Sequence, residues 1–281
     1  MTIRTMQRYD ILFAAKLTKN EGWVSETEEL FETLIDYNSD GCFIAEIDGS
    51  PIGICVAVKY AETGFIGNLI IRNKWRGVGH GRILLEHAIN YLRDENIKMI
   101  QLESDLPAIS LYEKIGFKKV CKSLRFHGAI EPKGHRHIIP MRVEDLVEIY
   151  RLDYTAFGAD RSYFLKQRFD RFPKFCKVIL HDDWITGYIM ARPGIKVKSV
   201  GPWIATAEVP NPLDLLEALA VETGNTPLRI GVLENNPRAV DLLRNISSLE
   251  EQEYCWRMVL NETTTGENSS HIFSIGSASK G

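Results

Sequence analysis

Long apolar runs are absent from this chain of 281 residues: no stretch approaches the roughly 20 consecutive apolar residues that a membrane-crossing helix needs. The N-terminus also lacks the apolar core of a secretory leader, so a cytoplasmic chain is expected. Cysteine is sparse. The five (Cys42, Cys55, Cys121, Cys176, Cys255) are odd in number and widely spaced, with no zinc or redox spacing, and read as reduced thiols. Excess charge is lacking too. A net charge of −3 gives no electrostatic case for nucleic acid or an anionic membrane. His127, His135 and His137 have no carboxylate or cysteine at metal-ligand spacing, so no metal is expected.

What is present is the composition of a globular protein, 44% apolar and 25% charged, long enough for one large or two ordinary domains. One stretch organises it. Asn68 to Arg72 reads as a strand, a loop follows with glycines at 77, 79 and 81, and a helix then places Leu84, Leu85, Ala88, Ile89 and Leu92 on one face. Glycines between a strand and a helix start let the backbone approach a ligand, and the loop N–H groups and helix dipole favour an anion such as a pyrophosphate. A plain tight turn explains the glycines equally well. A dinucleotide fold is disfavoured, because no βαβ unit with a suitable acidic residue follows.

Residues 3 to 20 suit a strand and a helix carrying Tyr9, Ile11, Leu12, Ala15 and Leu17. Ser25 with Glu28 has the spacing of a capping box ahead of a second helix. Cys42–Ile47 and Ile52–Val58 form a hairpin about Asp48-Gly49. After the glycine-loop helix come a short buried strand at 99–103, a helix at 107–114 and a strand from Phe117. Residues 1–128 thus make a mixed sheet with helices on both faces. A linker rich in Gly and Pro spans 129–140, and a second domain spans 141–281. Asn261 to Ser270 is a polar, mobile tail on composition, and His271–Ile275 alternates as an edge strand would.

The second half repeats the first. Gly53 and Gly187, and Gly67 and Gly201, share an offset of 134; beyond the loop the offset falls to 131, aligning Leu84-Leu-Glu with Leu215-Leu-Glu. The deletion falls on the glycine loop. Ala207–Pro212 stands there without glycine and with two prolines, and Leu243 stands opposite Tyr112. The second half reads as a copy that kept the fold and lost the loop.

The spacing Arg76-x-x-Gly79-x-Gly81, followed by Leu111-Tyr-Glu-Lys-Ile-Gly-Phe117, resembles the acetyl-CoA loop and later signature of the GCN5-related N-acetyltransferases (GNAT family), over residues 20 to 122. The second half resembles the C-terminal domain of a tandem subgroup, through Phe157–Arg161, Gly187-Tyr188, Arg192-Pro-Gly194, Gly201-Pro202, Asn235 to Leu243 and Arg257-Met258. The resemblance implies an α+β fold of two tandem GNAT-like domains, the second degenerate. It implies acetyl-CoA as co-substrate and direct transfer to a primary amine of a small or amino-acid-like acceptor, by a monomer or homodimer. A non-catalytic acyl-CoA sensor and a peptide N-acetyltransferase are the alternatives.

The same resemblance assigns roles. Gly77, Val78, Gly79, His80 and Gly81 would hold the pyrophosphate with help from Arg76, which an ion-pair role also suits. The main chain of Leu69, Ile70 and Ile71 would pair with the pantetheine arm. Asp105 stands where many members carry an asparagine. Tyr112 is the candidate acid for the leaving thiolate, or else packs its ring beside Phe117. Glu21, Trp23 and Asn68, with Asp160 and Arg161 of the second domain, are acceptor-side candidates; Asp160 and Arg161 suit helix capping and ion pairing equally. Glu21, Glu103, Asp105 or a water chain is left to serve as base.

Overall fold

The computed structural model describes residues 1–261 and 269–281. The expectation of a mobile tail at 261–270 therefore falls mostly outside the described residues. The chain packs as two compact units: residues 1–120, joined by 257–261 and 278–281, and residues 121–256, joined by the segment ending at Ser277. The first unit thus takes in pieces from beyond residue 141.

The first unit runs β1 (Thr2–Thr5), α1 (Ile11–Asn20), α2 (Glu28–Asn38), β2 (Cys42–Ile47), β3 (Ser50–Tyr60), β4 (Thr63–Ile71), α3 (His80–Asp94), β5 (Met99–Ser104) and α4 (Ile109–Ile115). Strands β1 to β4 are sequential antiparallel neighbours, and β5 joins β4 in parallel. At the β2–β3 turn Asp48 and Gly49 both have positive φ (49° and 70°), as a two-residue hairpin turn of primed type requires. On α3, Leu84, Leu85, Ala88, Ile89 and Leu92 are buried as their spacing predicts. Each of the leucine and isoleucine side chains contributes about 1.5–3 kcal/mol by leaving water.

Two local expectations are corrected. On α1 the buried stripe is Ile11, Ala14, Leu17 and Thr18, while Tyr9 and Leu12 are exposed. Ser25 and Glu28 do not take capping-box positions: α2 begins at Glu28, so Thr27 holds the N-cap position, and the Thr27 side chain makes no capping hydrogen bond. The reason lies one turn upstream. Glu26 is buried, its N–H donates to the Trp23 carbonyl, and its carbonyl accepts from Thr18 Oγ1, so residues 23–26 are already folded inward as a turn.

The second unit holds most of β6 (Lys118–Gly128), then β7 (Ile138–Pro140), α5 (Leu146–Phe157), α6 (Ser162–Arg171), β8 (Cys176–His181), β9 (Trp184–Pro193), β10 (Lys198–Ala205), α7 (Leu213–Thr223), β11 (Leu228–Leu233), α8 (Pro237–Arg244), the part of β12 (Leu249–Leu260) before Arg257, and β13 (Ile272–Ser274). Its sheet order is β6-β11-β10-β9-β8-β7, with only β10 and β11 parallel. Two apolar clusters fill it, one around Trp203, Leu215, Leu219 and Phe273, the other around Ile149, Tyr188 and Met190.

The duplication is visible as a repeated contact. A Cβ on Gly53 would lie 2.6 Å from the Ile70 carbonyl oxygen, and a Cβ on Gly187 2.7 Å from that of Ile204, each pair related by the same offset. Both glycines let neighbouring strands approach closely.

Candidate active site

Strand β4 pairs with β3 as far as Ile71, but with β5 only over Thr63–Ile66. From Gly67 onward the two parallel strands no longer pair. Leu69, Ile70 and Ile71 lie on this unpaired part, so their main chain presents an edge to which an extended amide-bearing chain can bond. The divergence begins where the β3–β4 register slips and Asn68 takes a left-handed φ of 52°, which asparagine tolerates.

The glycine loop lies at the end of β4. Gly77 and Gly79 have φ of 82° and 93°, and a Cβ at either would meet nothing within 4 Å, so backbone conformation rather than space requires glycine. Gly79 is the N-cap of α3 and no side chain caps the helix. Among the described residues no main-chain acceptor meets the N–H groups of Gly77 to Gly81. A row of unsatisfied donors at the positive end of a 15-residue helix is suited to an anion. His80 Nδ1 and Trp75 Nε1 are buried without partners beside it. The residues present fit a pyrophosphate.

Arg76 directs Nε to the Ile71 carbonyl at 2.6 Å and Nη2 to Glu21 Oε1 at 2.6 Å. It therefore fastens the end of β4 to the end of α1, and Glu21 already holds a cation partner. Trp23 is half-buried in the turn that follows. Glu103, one of the candidate bases, is buried against Arg257 of β12, whose Nη2 donates to Oε1 at 2.9 Å. Asp105 is exposed at the start of the turn leading into α4.

The β4 irregularity gathers a group that residue spacing did not reveal. Asn68 is buried; its Nδ2 donates to Glu26 Oε2 at 3.1 Å, and its Oδ1 has no partner. Ser279 Oγ donates to the same Glu26 oxygen at 3.3 Å, and Tyr60 OH donates to the Lys280 carbonyl at 2.7 Å. Gly67 touches the Ser279 main chain where any side chain would stand. The only available sequence signal for Glu26 was an acidic residue just before a helix, and the capping-box spacing drew attention to Glu28 instead.

Tyr112 is buried on α4, its ring edge-on to Phe117 at 5.9 Å. Burial raises its pKa well above the ordinary value, reinforced by Cys55 and Asp105, so the phenol keeps its proton. Among the described residues its hydroxyl has no hydrogen-bond partner, which leaves the O–H able to donate to a ligand.

The second unit is built differently at each corresponding place. β10 and β11 also pair only briefly, over 198–200 and 228–230, but there β13 enters beside β10: Trp203 pairs with Ser274 and Ile204 with Ile272. The Ile275 N–H reaches the Gly231 carbonyl of β11 at 2.9 Å. The divergence between the parallel strands is thus filled by the chain's own residues: β13 pairs with β10, and Ile275 just after it bonds to β11. Pro212 stands at the start of α7, where Gly79 stands before α3. Arg161 is buried, with Nε 2.7 Å and Nη2 2.8 Å from the Asp153 carboxylate and the Phe157 ring 4.0 Å beneath. Tyr188 OH donates to the same carboxylate. Asp160 accepts from the Ser162 N–H at 2.8 Å at the start of α6. These are contacts of helix capping and ion pairing.

A mixed sheet whose parallel strands part beside a glycine loop and helix start is a framework that can hold an extended, phosphate-bearing ligand. Two family models match, one described as acetyltransferase (GNAT) family over residues 9–117 and one as acetyltransferase (GNAT) domain over 149–274. The chain belongs to the GNAT acetyltransferases and carries the domain twice. It is 28% identical over 114 residues to N-alpha-acetyltransferase 30 of Dictyostelium discoideum, covering 38% of this chain and 61% of that one. It is 32% identical over 87 residues to mycothiol acetyltransferase of Thermomonospora curvata, covering 30% and 29%. The chain thus spans less than two thirds of these relatives' own lengths. A solved Pyrococcus horikoshii structure shares the fold, with a TM-score of 0.84 and 20% identity over 100% of this chain and 95% of that one. Among the described residues no helix is long and apolar enough to cross a membrane.

Proposed function

We propose that the first unit moves an acetyl group from acetyl-CoA to a primary amine of a small-molecule or amino-acid-like acceptor by direct attack. The observation that carries this reading is the alignment along β4. An anion-binding helix start lies at one end, an unpaired strand edge lies next to it, and the buried Glu26–Asn68 pair lies where the parallel strands part.

The bound co-substrate supplies a thioester carbonyl and a thiolate leaving group. The N–H groups of Val78 to Gly81 hold its pyrophosphate, and the main chain of Leu69 to Ile71 aligns its pantetheine arm. Glu26 and the unpartnered Asn68 Oδ1 receive the acceptor ammonium, which gives a proton to water, and they orient the neutral amine that attacks the carbonyl. The Tyr112 hydroxyl donates to the sulfur as negative charge develops there. A protein acyl intermediate has no support in the nearby thiols: burial pushes Cys42 up to about 12 and Cys55 higher still, so neither supplies a thiolate at neutral pH.

One observation favours a peptide amine as the second reading. The Ser279 main chain lies against Gly67, its hydroxyl donates to Glu26, and the Lys280 carbonyl accepts from Tyr60. The Dictyostelium relative's name also refers to N-alpha acetylation. Release of CoA over matched panels of small amines and peptides with free N-termini tests both readings. Turnover confined to peptides replaces the first reading by the second. No turnover with either panel, in protein that binds acetyl-CoA, leaves a binding protein rather than an enzyme.

A further inference from the structure

His135 and His137 have no carboxylate near them in the chain, but the fold brings two. Asp214, in the first turn of α7, and Glu217, three residues on, face the same side. His137 Nε2 lies 3.1 Å from Asp214 Oδ2, and His135 Nδ1 lies 3.6 Å from the same oxygen. One donor atom from each of the three residues lies within 4.8 Å of the others. Donors around a tetrahedral zinc ion with bonds of about 2.0–2.1 Å stand roughly 3.3 Å apart. The two distances to Asp214 Oδ2, 3.1 and 3.6 Å, bracket that value, and the two imidazole donors, within 4.8 Å of each other, need only close on a bound ion.

The groups behind these donors are arranged to orient them. His135 Nε2 is 2.7 Å from Glu217 Oε2, and Asp214 Oδ1 accepts from Asn211 Nδ2 at 2.5 Å. A metal-binding imidazole characteristically gives its other N–H to a carboxylate, which fixes tautomer and ring orientation. With Nε2–H given to Glu217, the Nδ1 lone pair of His135 is turned to Asp214 Oδ2, itself an acceptor. A cation between them satisfies both. Asp214 and His137 also line a pocket of about 340 Å³, walled by Leu180, Thr186 and Asn211, which gives a fourth ligand access.

We propose that His135, His137 and Asp214 bind a divalent transition-metal ion, with zinc the best match to two imidazoles and one carboxylate. Glu217 acts as the hydrogen-bonded partner of His135. The ion ties the segment before β7 to the start of α7, and a water or small carboxylate completes its shell from the pocket. It lies within the second unit and takes no part in acetyl transfer, so the proposal stands whatever the acceptor.

The test uses the full chain, stripped with a chelator and titrated with Zn²⁺ against a chromogenic competitor, with Co²⁺ as a spectroscopic probe. The expected result is one equivalent bound, the visible absorption of tetrahedral Co²⁺, and a thermal midpoint that rises with zinc concentration. His137→Ala and Asp214→Asn should each weaken binding at least 100-fold, and Glu217→Gln by about 10- to 100-fold. Asp214→Asn keeps the side-chain shape, so its circular dichroism and melting curve without metal should match the wild type. Absence of stoichiometric binding at micromolar zinc would overturn the proposal. So would binding that stays within threefold in both ligand variants, as happens if the half-buried Cys255 thiol holds the ion instead.

Discussion

Glu26 and Asn68 meet where β4 leaves β5: the Asn68 amide donates to a carboxylate oxygen of Glu26 at 3.1 Å, and both side chains are buried. A carboxylate there attracts an ammonium, and Asn68 Oδ1 supplies a second acceptor. Glu26→Gln keeps the shape and removes the charge. A hydrogen bond to a charged group contributes about 1.5–3 kcal/mol, so kcat/KM for the amine should fall roughly 10- to 100-fold. KM for acetyl-CoA should stay within about twofold, because the loop is untouched. Steady-state kinetics varying each substrate in turn measures both, and an unchanged acceptor kcat/KM removes Glu26 from the site.

Tyr112 separates chemistry from binding. Tyr112→Phe keeps the ring against Phe117 and deletes the hydroxyl, so kcat should fall about 100-fold or more while acetyl-CoA affinity measured by calorimetry changes little. The same residue has a stability signature. Its folded-state pKa is raised above the unfolded value of about 10, so between the two values the unfolded chain has released a proton that the folded chain keeps. Its contribution is intact below pH 10 and is lost as pH rises above it. Urea titrations from pH 8 to 11 should show stability falling on the alkaline side, less steeply in Tyr112→Phe.

The loop is tested by charge rather than by size. Because a Cβ on Gly79 meets nothing, Gly79→Ala adds only the strain of φ 93°, about 1 kcal/mol. Gly79→Glu adds a carboxylate at an anion site and should weaken acetyl-CoA binding at least 100-fold with the fold retained. Calorimetry that finds binding within a few-fold of wild type would refute the loop assignment.

The parts of this protein that could be read in sequence are those where chemistry is local. Gly77, Gly79 and Gly81 adjoin the helix whose N-terminus they open, and Leu84 to Leu92 repeat with the period of the face they bury. Even the duplication was legible, since Gly53 and Gly187 mark one backbone approach made twice. The acceptor side was not. Glu26 meets Asn68 across 42 residues and Ser279 across 253, and no periodicity reports a contact of that kind. Strand β13 was legible as a strand from its alternation, but its place beside β10 is set by a divergence the chain does not encode locally. His135 and His137 were set aside for want of a carboxylate that stands 77 residues away from His137 on α7.

The Arg161–Asp153 pair bears on whether the second unit's Phe157–Arg161 segment can touch the acceptor. An arginine that binds acceptor needs donors facing solvent or ligand, yet the Arg161 and Asp153 side chains are only 3% and 1% exposed and bond to each other twice. Tyr188 closes on the same carboxylate, and burial beside that charge drives its phenol pKa well upward. Removing one partner strands a buried charge, which costs about 3–5 kcal/mol. Arg161→Met should therefore lower the melting transition by several degrees in scanning calorimetry, and Asp153→Asn should do the same. At temperatures where both variants are folded, KM for the amine should match the wild type. A large rise in that KM, in a variant whose melting is unchanged, would instead make Arg161 an acceptor ligand.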